Sequence, residues 1–255
     1  MCRILLVRHG QASFASDDYD NLSELGHKQA EVLGKFLRKI SIDFSLVASG
    51  TLNRQQQTAS ELVKYISNSD SNSEDSNEDD SNEDDSNEDD SNEGDLDDSG
   101  LIKQLEWLNE LDSHSLVQTY QEKLEYAQKE GRLEFSHDNF EQVFTDLVTL
   151  WSKDKEFNGE SFHQFQSRIL TGLAELKQQH DTEQTLLLVT SGGVIATIVQ
   201  SILGLDNKAM LKAALRIFNG SLTEVIYHKN QWELVGFNSV AAFHLEQNPS
   251  LLTRL

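Results

Sequence analysis

The chain has few cysteines, few basic residues and no long apolar run, and each shortage excludes a class of protein. Its 255 residues include a single cysteine, Cys2, which excludes an internal disulfide and a zinc site built from several cysteines. Lys and Arg together number 21, against 43 Asp and Glu, so no basic surface is available to neutralise the phosphates of nucleic acid or of an anionic membrane. The longest apolar stretches are too short to span a bilayer.

These shortages set expectations about partners and location. We expect no nucleic-acid partner and no membrane partner. Met1 leads directly into a predicted strand, with no signal-peptide pattern in between, and this favours a cytoplasmic setting.

The strongest compositional bias is an acidic, low-complexity tract over residues 67–100. It holds 16 of the 43 acidic residues and no Lys or Arg, so the rest of the chain carries a net charge of only −6. The sequence Ser-Asn-Glu-Asp-Asp at 76–80 repeats at 81–85 and 86–90. No apolar side chain lies between Ile66 and Leu96, so burial cannot offset the ordering entropy of this segment, and we expect a disordered surface insertion. It also lacks the glycine-centred loop with a closing glutamate that specific calcium sites use.

Hydrophobic spacing predicts an α/β fold. We expect a single domain over residues 1–255, a three-layer sandwich with a largely parallel central sheet, a helical insert and the disordered acidic loop. No pattern defines the C-terminal tail. The predicted strands are 3–8, 44–48, 102–108 and 185–190, with a hairpin over 221–227 and 231–237. The predicted helices are 27–40, 52–66 and 192–203, with 113–130, 137–153 and 160–180 forming the insert.

Polar side chains follow the predicted strands where each one ends, which is the edge at which α/β sheets bind ligands. Arg8, His9 and Gly10 end the first strand, and Arg54 follows the second. Two arginines can clamp a phosphoryl group while a histidine attacks the phosphorus. The pattern therefore favours phosphoryl transfer, which depends mainly on positioning and on neutralising the phosphoryl oxygens.

Several segments together resemble the histidine phosphatase superfamily, the phosphoglycerate-mutase-like proteins. Residues 5–11, Leu-Leu-Val-Arg-His-Gly-Gln, are similar to the family's signature. Residues 22–30 resemble its Leu-Thr-x-x-Gly-x-x-Gln-Ala turn, and residues 49–59 resemble its Ser-x-x-x-Arg-x-x-Gln-Thr-Ala segment. Glu110 stands where the family places its acid, and residues 159–161, Gly-Glu-Ser, resemble a further family element, with Arg168 behind it.

The resemblance implies a phosphatase that acts through a phosphohistidine and needs no metal or cofactor. It implies that His9 is the phosphoacceptor, that Arg8 and Arg54 bind the phosphoryl oxygens, and that Glu110 is the proton donor. Its expected substrate is a small-molecule phosphate ester or a phosphoprotein. Ser191 replaces the family's second histidine, so at this phosphate-binding position a hydroxyl takes the place of a cationic donor.

That replacement leaves two functions open. The chain is either a slow phosphatase or a catalytically inactive relative that binds phosphate or a phosphoprotein. The backbone N–H groups at the start of the 192–203 helix still offer an anion site, and His114 is a candidate substitute for the missing histidine.

The same residues also have purely structural interpretations. Arg8 and His9 can be ordinary polar residues at a strand end, and Arg54 and Glu110 can be solvated side chains on the surface. Ser191 can be a helix N-cap, and residues 160–161 can simply begin a helix.

Overall fold

The computed structural model describes residues 1–13, 20–67, 101–120, 140–180 and 183–254. Most of the acidic tract predicted over 67–100 lies outside these residues, as do 121–130 and 137–139 of the predicted insert. Ser67, the first residue of the tract, ends a helix. The strands are β1 Cys2–Arg8, β2 Leu46–Ser49, β3 Ile102–Gln104, β4 Thr185–Thr190, β5 Leu222–His228 and β6 Gln231–Ser239. The helices are α1 Glu24–Lys39, α2 Asn53–Ile66, α3 (113–120), α4 Phe140–Trp151, α5 Phe162–Gln179, α6 Gly192–Leu203, α7 Asn207–Ala214 and α8 Ala241–Leu245, with short 3₁₀ turns at Glu106–Leu108 and Pro249–Leu251.

The strands form one mixed sheet in the order β3-β2-β4-β1-β5-β6. The first four are mutually parallel, and β5 and β6 add an antiparallel hairpin at one side. The register of β1 and β4 pairs Arg8 with Thr190, so the two strands end at the same edge. The α/β fold with a largely parallel sheet is therefore confirmed.

The middle positions of the central strands, 4–7 in β1 and 186–189 in β4, are all apolar because both faces of the sheet are covered. Successive side chains point to opposite faces, so Ile4 and Leu6 belong to one core and Leu5 and Val7 to the other. The first core also takes in α4, α5, α6 and α7, and the second takes in α1, α2 and α8. A sheet between two helical layers is the three-layer arrangement that the sequence predicts.

Two regions differ from the sequence prediction. The predicted strand at 102–108 ends at Gln104, and the chain turns through a 3₁₀ helix at Glu106–Leu108. The C-terminal residues are not a loose tail, because they form α8 and a 3₁₀ turn. Phe243 and Leu251 are buried there, and Gln29 of α1 donates hydrogen bonds to Leu251 O and Thr253 Oγ1 at 2.8 Å each. Apolar residues this sparse show no periodicity, so only packing against α1 reveals their order.

Candidate active site

The loop after β1 carries the first part of the site and is held very close to the start of α1. His9 N donates to Thr190 O at 2.9 Å, and Gly10 N donates to Thr58 Oγ1 at 3.0 Å. A Cβ on Gly10 would lie 2.5 Å from the carbonyl oxygen of Gly26. Only glycine allows this approach, which fixes His9 at the carboxyl edge of the sheet.

The His9 imidazole is buried, with 7% of its surface exposed, and its orientation is defined by two contacts. Nδ1 lies 2.7 Å from Gly10 O, and because a carbonyl oxygen only accepts, Nδ1 carries the proton. Nε2 therefore presents its lone pair, and Arg54 Nε donates to it at 3.2 Å. Burial, followed by the charges of Arg8 and Arg54, holds the pKa of His9 well below its usual value. The ring is neutral near pH 7 and can act as a nucleophile.

Two arginines flank this imidazole. Arg54, at the start of α2, keeps only 13% of its side chain exposed, and its Nη1 lies 2.5 Å from Asp20 Oδ1. Asp20 Oδ2 also accepts a hydrogen bond from Asn53 N at 2.8 Å, so this carboxylate fixes both Arg54 and the N-terminus of α2. The Arg8 guanidinium donates from Nη1 to Ile217 O. The interpretation of Arg54 as a solvated surface residue is wrong, because the side chain is mostly covered and donates to His9.

Glu110 lies at the N-terminus of α6. Its Oε2 accepts from Gly193 N at 2.8 Å, and its Oε1 accepts from Leu111 N at 3.0 Å. A Cβ on Gly193 would lie 2.2 Å from Oε1, so this approach requires glycine. The Gly193 N–H, which the sequence suggested as an anion site for phosphate, is thus occupied by the carboxylate of Glu110. Glu110 is half-buried and lines a cavity, and its carboxylate is held there by two backbone N–H groups.

The segment before Glu110 is held by side chains from three distant elements. Leu108 O accepts from Thr190 Oγ1 at 2.6 Å and from Gln55 Nε2 at 3.0 Å. Arg168 Nη1 donates to the carbonyl oxygens of Trp107 and Asn109 at 3.0 and 3.2 Å. These bonds fix the backbone from which the Glu110 carboxylate projects.

Arg168, which lies within α5, is itself fixed by a residue just before the start of that helix. It forms a two-point ion pair with Glu160, with Nε–Oε1 at 2.7 Å and Nη2–Oε2 at 2.9 Å. Ser161, the next residue along, forms a capping box with Gln164, which confirms that this segment begins a helix. The Gly-Glu-Ser segment therefore starts α5 and also supports the Glu110 segment through Arg168.

Ser191 is 1% exposed and lies behind the site. Its Oγ accepts from Gln55 Nε2 at 2.8 Å, and it is not among the residues that line the cavity. It is the residue before α6, but its side chain makes no capping hydrogen bond, so the N-cap interpretation of the hydroxyl is wrong. His114 is exposed on α3 and does not line the cavity either.

A cavity of about 330 Å³ opens where these parts meet. Arg8, His9, Arg54 and Glu110 all line it, so the structure brings together four of the five predicted site residues and leaves Ser191 outside.

Asn219 and Arg254 also line the cavity, and sequence reasoning missed both, together with Asp20. The Asn-Gly pair at 219–220 could have indicated a turn beside the site, since Gly220 has a φ of 65°; Asp20 and Arg254 carried no signal.

No group of three or more His, Cys, Asp or Glu side chains in the described ranges is placed to hold a metal ion. No helix within those ranges is long and apolar enough to cross a bilayer.

The chain matches the histidine phosphatase superfamily (branch 1) over residues 4–75 and 124–240. A 65-residue segment is 42% identical to the mitochondrial serine/threonine-protein phosphatase Pgam5 of Drosophila sechellia, covering 25% of this chain and 22% of that protein. The match therefore spans under a quarter of the relative's length.

Solved structures share the fold over nearly the whole chain. A phosphoglycerate mutase from Bacillus anthracis superposes with a TM-score of 0.61 at 18% identity, covering 97% of each chain. A phosphoserine phosphatase variant from Entamoeba histolytica, in complex with phosphoserine, superposes with a TM-score of 0.60 at 15% identity, covering 95% of this chain and 99% of that one. At these identities the likeness establishes the fold alone.

Proposed function

Since this chain belongs to the histidine phosphatase superfamily, we propose that it is a phosphomonoesterase acting through a phosphohistidine at His9. One observation carries the proposal. The neutral, buried imidazole keeps Nε2 unprotonated, with Arg54 Nε as its hydrogen-bond donor, and it lines a cavity together with two arginines and a carboxyl group. This is the set that phosphoryl transfer to a histidine requires.

In the first step, Nε2 of His9 attacks phosphorus while Arg8 and Arg54 bind the phosphoryl oxygens. The bond from phosphorus to the ester oxygen breaks, and its electron pair goes to that oxygen. Glu110, as the carboxylic acid, gives the oxygen a proton, and the alcohol leaves. The hydrogen bond between His9 Nδ1 and Gly10 O stabilises the positive charge that develops on the ring.

In the second step, water attacks the phosphorus of the phosphohistidine. The Glu110 carboxylate takes a proton from that water and so regains the proton lost in the first step. The phosphorus–nitrogen bond breaks, and its electron pair returns to Nε2. Inorganic phosphate leaves, and the enzyme is restored without any added cofactor.

Ser191 supports a second candidate, a relative that binds phosphate or a phosphoprotein without turnover. Its hydroxyl carries no charge, accepts from Gln55 and lies outside the cavity lining, so it does not replace a cationic donor. Loss of one such donor costs roughly 10²–10³ in rate at comparable sites. The phosphatase proposal therefore includes slow turnover.

The partners follow from the same site. We propose a small phosphate ester or a phosphoprotein as substrate, the latter supported by the name of the Pgam5 relatives, serine/threonine-protein phosphatase. The acidic charge balance supports the exclusion of nucleic acid and of anionic membranes as partners. The cytoplasmic setting stays a prediction from the sequence.

The test is hydrolysis of phenyl phosphate by the wild type and by three variants, His9→Ala, Ser191→His and His163→Ala. His163→Ala is the control, because His163 is an exposed histidine of α5. We expect turnover in the wild type, loss in His9→Ala and no change in His163→Ala. An acid-labile, alkali-stable phosphoryl label on the quenched wild type is the second readout. Turnover that survives in His9→Ala would overturn the proposal. A wild type that binds phosphate without turnover, and gains turnover in Ser191→His, would establish the second candidate.

A further inference from the structure

The cavity lining combines a charged cluster with an apolar wall. Arg8, His9, Arg54 and Glu110 gather at the carboxyl edge of the sheet. The rest of the lining comes mainly from α4, α5 and α7, helices that pack together in one hydrophobic core. A substrate whose phosphoryl group lies against His9 must place the group beyond its ester oxygen against these helices.

The apolar wall offers that group almost no hydrogen-bonding partner. It includes Leu147 and Val148 of α4, Phe165 of α5, and Met210 and Leu211 of α7, all at most 4% exposed. Its lining side chains from α4, α5 and α7 carry no charge.

Outside the charged cluster, the polar lining side chains are Ser113, Trp151, Asn219 and Arg254, and two of these, Trp151 and Asn219, have hydrogen bonds that occupy them. Trp151 Nε1 donates to Glu160 O at 3.0 Å. Asn219 Nδ2 donates to His9 O at 3.2 Å, and Asn219 Oδ1 accepts from Thr253 Oγ1 at 3.1 Å. A hydroxyl placed against this wall would therefore lose its water without gaining a partner.

We propose that the site takes the phosphomonoester of an apolar alcohol, with the hydrocarbon group lying between α4, α5 and α7. The inference rests on the proposed function for the phosphoryl end and adds the chemistry of the leaving group. Polyol leaving groups, such as those of sugar phosphates, are disfavoured because their hydroxyls would find no hydrogen-bond partner on the apolar wall. A volume of about 330 Å³ suits a short chain or a single ring and is small for a long lipid tail.

The decisive measurement is kcat/KM of the wild type for ethyl, propyl and butyl phosphate, with glycerol 1-phosphate as the polar comparison. All four esters are hydrolysed to primary alcohols. The series therefore varies the length and polarity of the alcohol group far more than its reactivity as a leaving group. Each methylene buried should raise kcat/KM about threefold to fourfold, so butyl should exceed ethyl by about tenfold. A flat or falling series, or glycerol 1-phosphate as the best substrate, would overturn the inference and leave the phosphatase proposal standing.

Paired substitutions on α4 locate the hydrocarbon. Leu147→Asn places an amide in the cavity, whereas Leu150→Asn makes the same change at a residue that is 37% exposed and outside the lining. We expect the butyl-to-ethyl ratio to fall toward one in Leu147→Asn and to stay at the wild-type value in Leu150→Asn. Met210→Gln, which nearly conserves volume, is the second cavity variant if Leu147→Asn does not fold. An unchanged ratio in a folded cavity variant would contradict the inference.

A binding measurement separates this inference from the phosphatase proposal. Ethylphosphonate and butylphosphonate cannot be hydrolysed at the carbon–phosphorus bond, so their affinities, measured by calorimetry, do not depend on turnover. We expect butylphosphonate to bind about tenfold more tightly. If it does so in a protein that hydrolyses none of the esters, the apolar pocket stands and the phosphatase proposal fails. Equal affinities would overturn the pocket whatever the activity.

Discussion

The two halves of the site reach their geometry in different ways. The cationic half, Arg8, His9 and Arg54, comes from two short segments within the first 54 residues. Arg54 joins it together through side chains, by contacts with His9 and Asp20, while Arg8 and His9 also bond to backbone carbonyls. The acid half, Glu110 with Gly193 and Arg168, draws on elements far apart in the chain, and its contacts run mostly through backbone groups. The residue types of the cationic half therefore indicate its chemistry from the sequence alone. The position of the Glu110 carboxylate depends instead on how the surrounding backbone is held.

The acid half should be the easier half to break by packing alone. Gly193→Ala places a Cβ within 2.2 Å of Glu110 Oε1 and must displace the carboxyl group. We expect kcat for butyl phosphate to fall about 10³-fold, within the range for loss of general acid catalysis. Phenyl phosphate, whose leaving group needs less protonation, should lose less. Gly236→Ala is the control, since the nearest atom to its added Cβ is 3.9 Å away. Equal losses for both substrates would contradict this role.

The cationic half should respond to loss of charge. Arg54→Ala removes the donor at 3.2 Å from His9 Nε2 and a cation beside the transferring phosphoryl group. We expect kcat/KM to fall about 10²–10³-fold for alkyl and aryl esters alike. The matched control is Lys64→Ala, an exposed cation at the other end of α2. A loss of kcat/KM confined to alkyl esters would show that Arg54 assists departure of the leaving group. The two halves of the site would then not differ in function as we expect.

Arg168 tests whether the acid half depends on support from a distance. Arg168→Gln removes the donors to Trp107 O and Asn109 O and the ion pair with Glu160. We expect kcat for butyl phosphate to fall about tenfold to a hundredfold, with a smaller loss for phenyl phosphate. Arg168→Lys keeps the positive charge but not the two-pronged guanidinium group, so it should recover little of the lost kcat.

A positioning role for Arg168 predicts that KM changes less than kcat. A uniform loss that follows a fall in thermal stability, equal for both substrates, would instead assign Arg168 to structure alone.

The smallest expected effect is the pH dependence of stability that His9 contributes. Its folded-state pKa is lowered, first by burial and then by Arg8 and Arg54, so below about pH 6.5 the unfolded chain binds a proton that the folded chain does not. This contribution is present above that pH and is lost as the pH falls toward the folded-state value.

Urea unfolding at pH 7.5 and 5.5 measures this contribution. Between these pH values the free energy of unfolding should fall by about 1 kcal/mol more in the wild type than in His9→Asn. Equal changes in the two proteins would show that His9 titrates alike in the folded and unfolded chains.

Sequence reasoning located the fold well where patterns are local. The bounds of β4 and α6 are those predicted. An unbroken apolar strand, followed by Gly-Gly and by apolar residues at helical spacing, can be recognised within a short stretch of sequence. It missed α7 and the ordered C-terminal residues. The buried apolar residues of the latter, such as Phe243, are too few and too scattered to form a pattern.

The sequence by itself determined the family and the residue types of the site, because strand periodicity and short motifs depend on neighbours along the chain. Only the tertiary structure placed the Glu110 carboxylate on Gly193 N, 83 residues away, and Gln29 against Leu251, 222 residues away. It also placed Ser191 behind the cavity rather than in it, and set an apolar wall opposite the arginines. Contacts at such separations depend on which helices pack together across the sheet, and no local pattern records that choice.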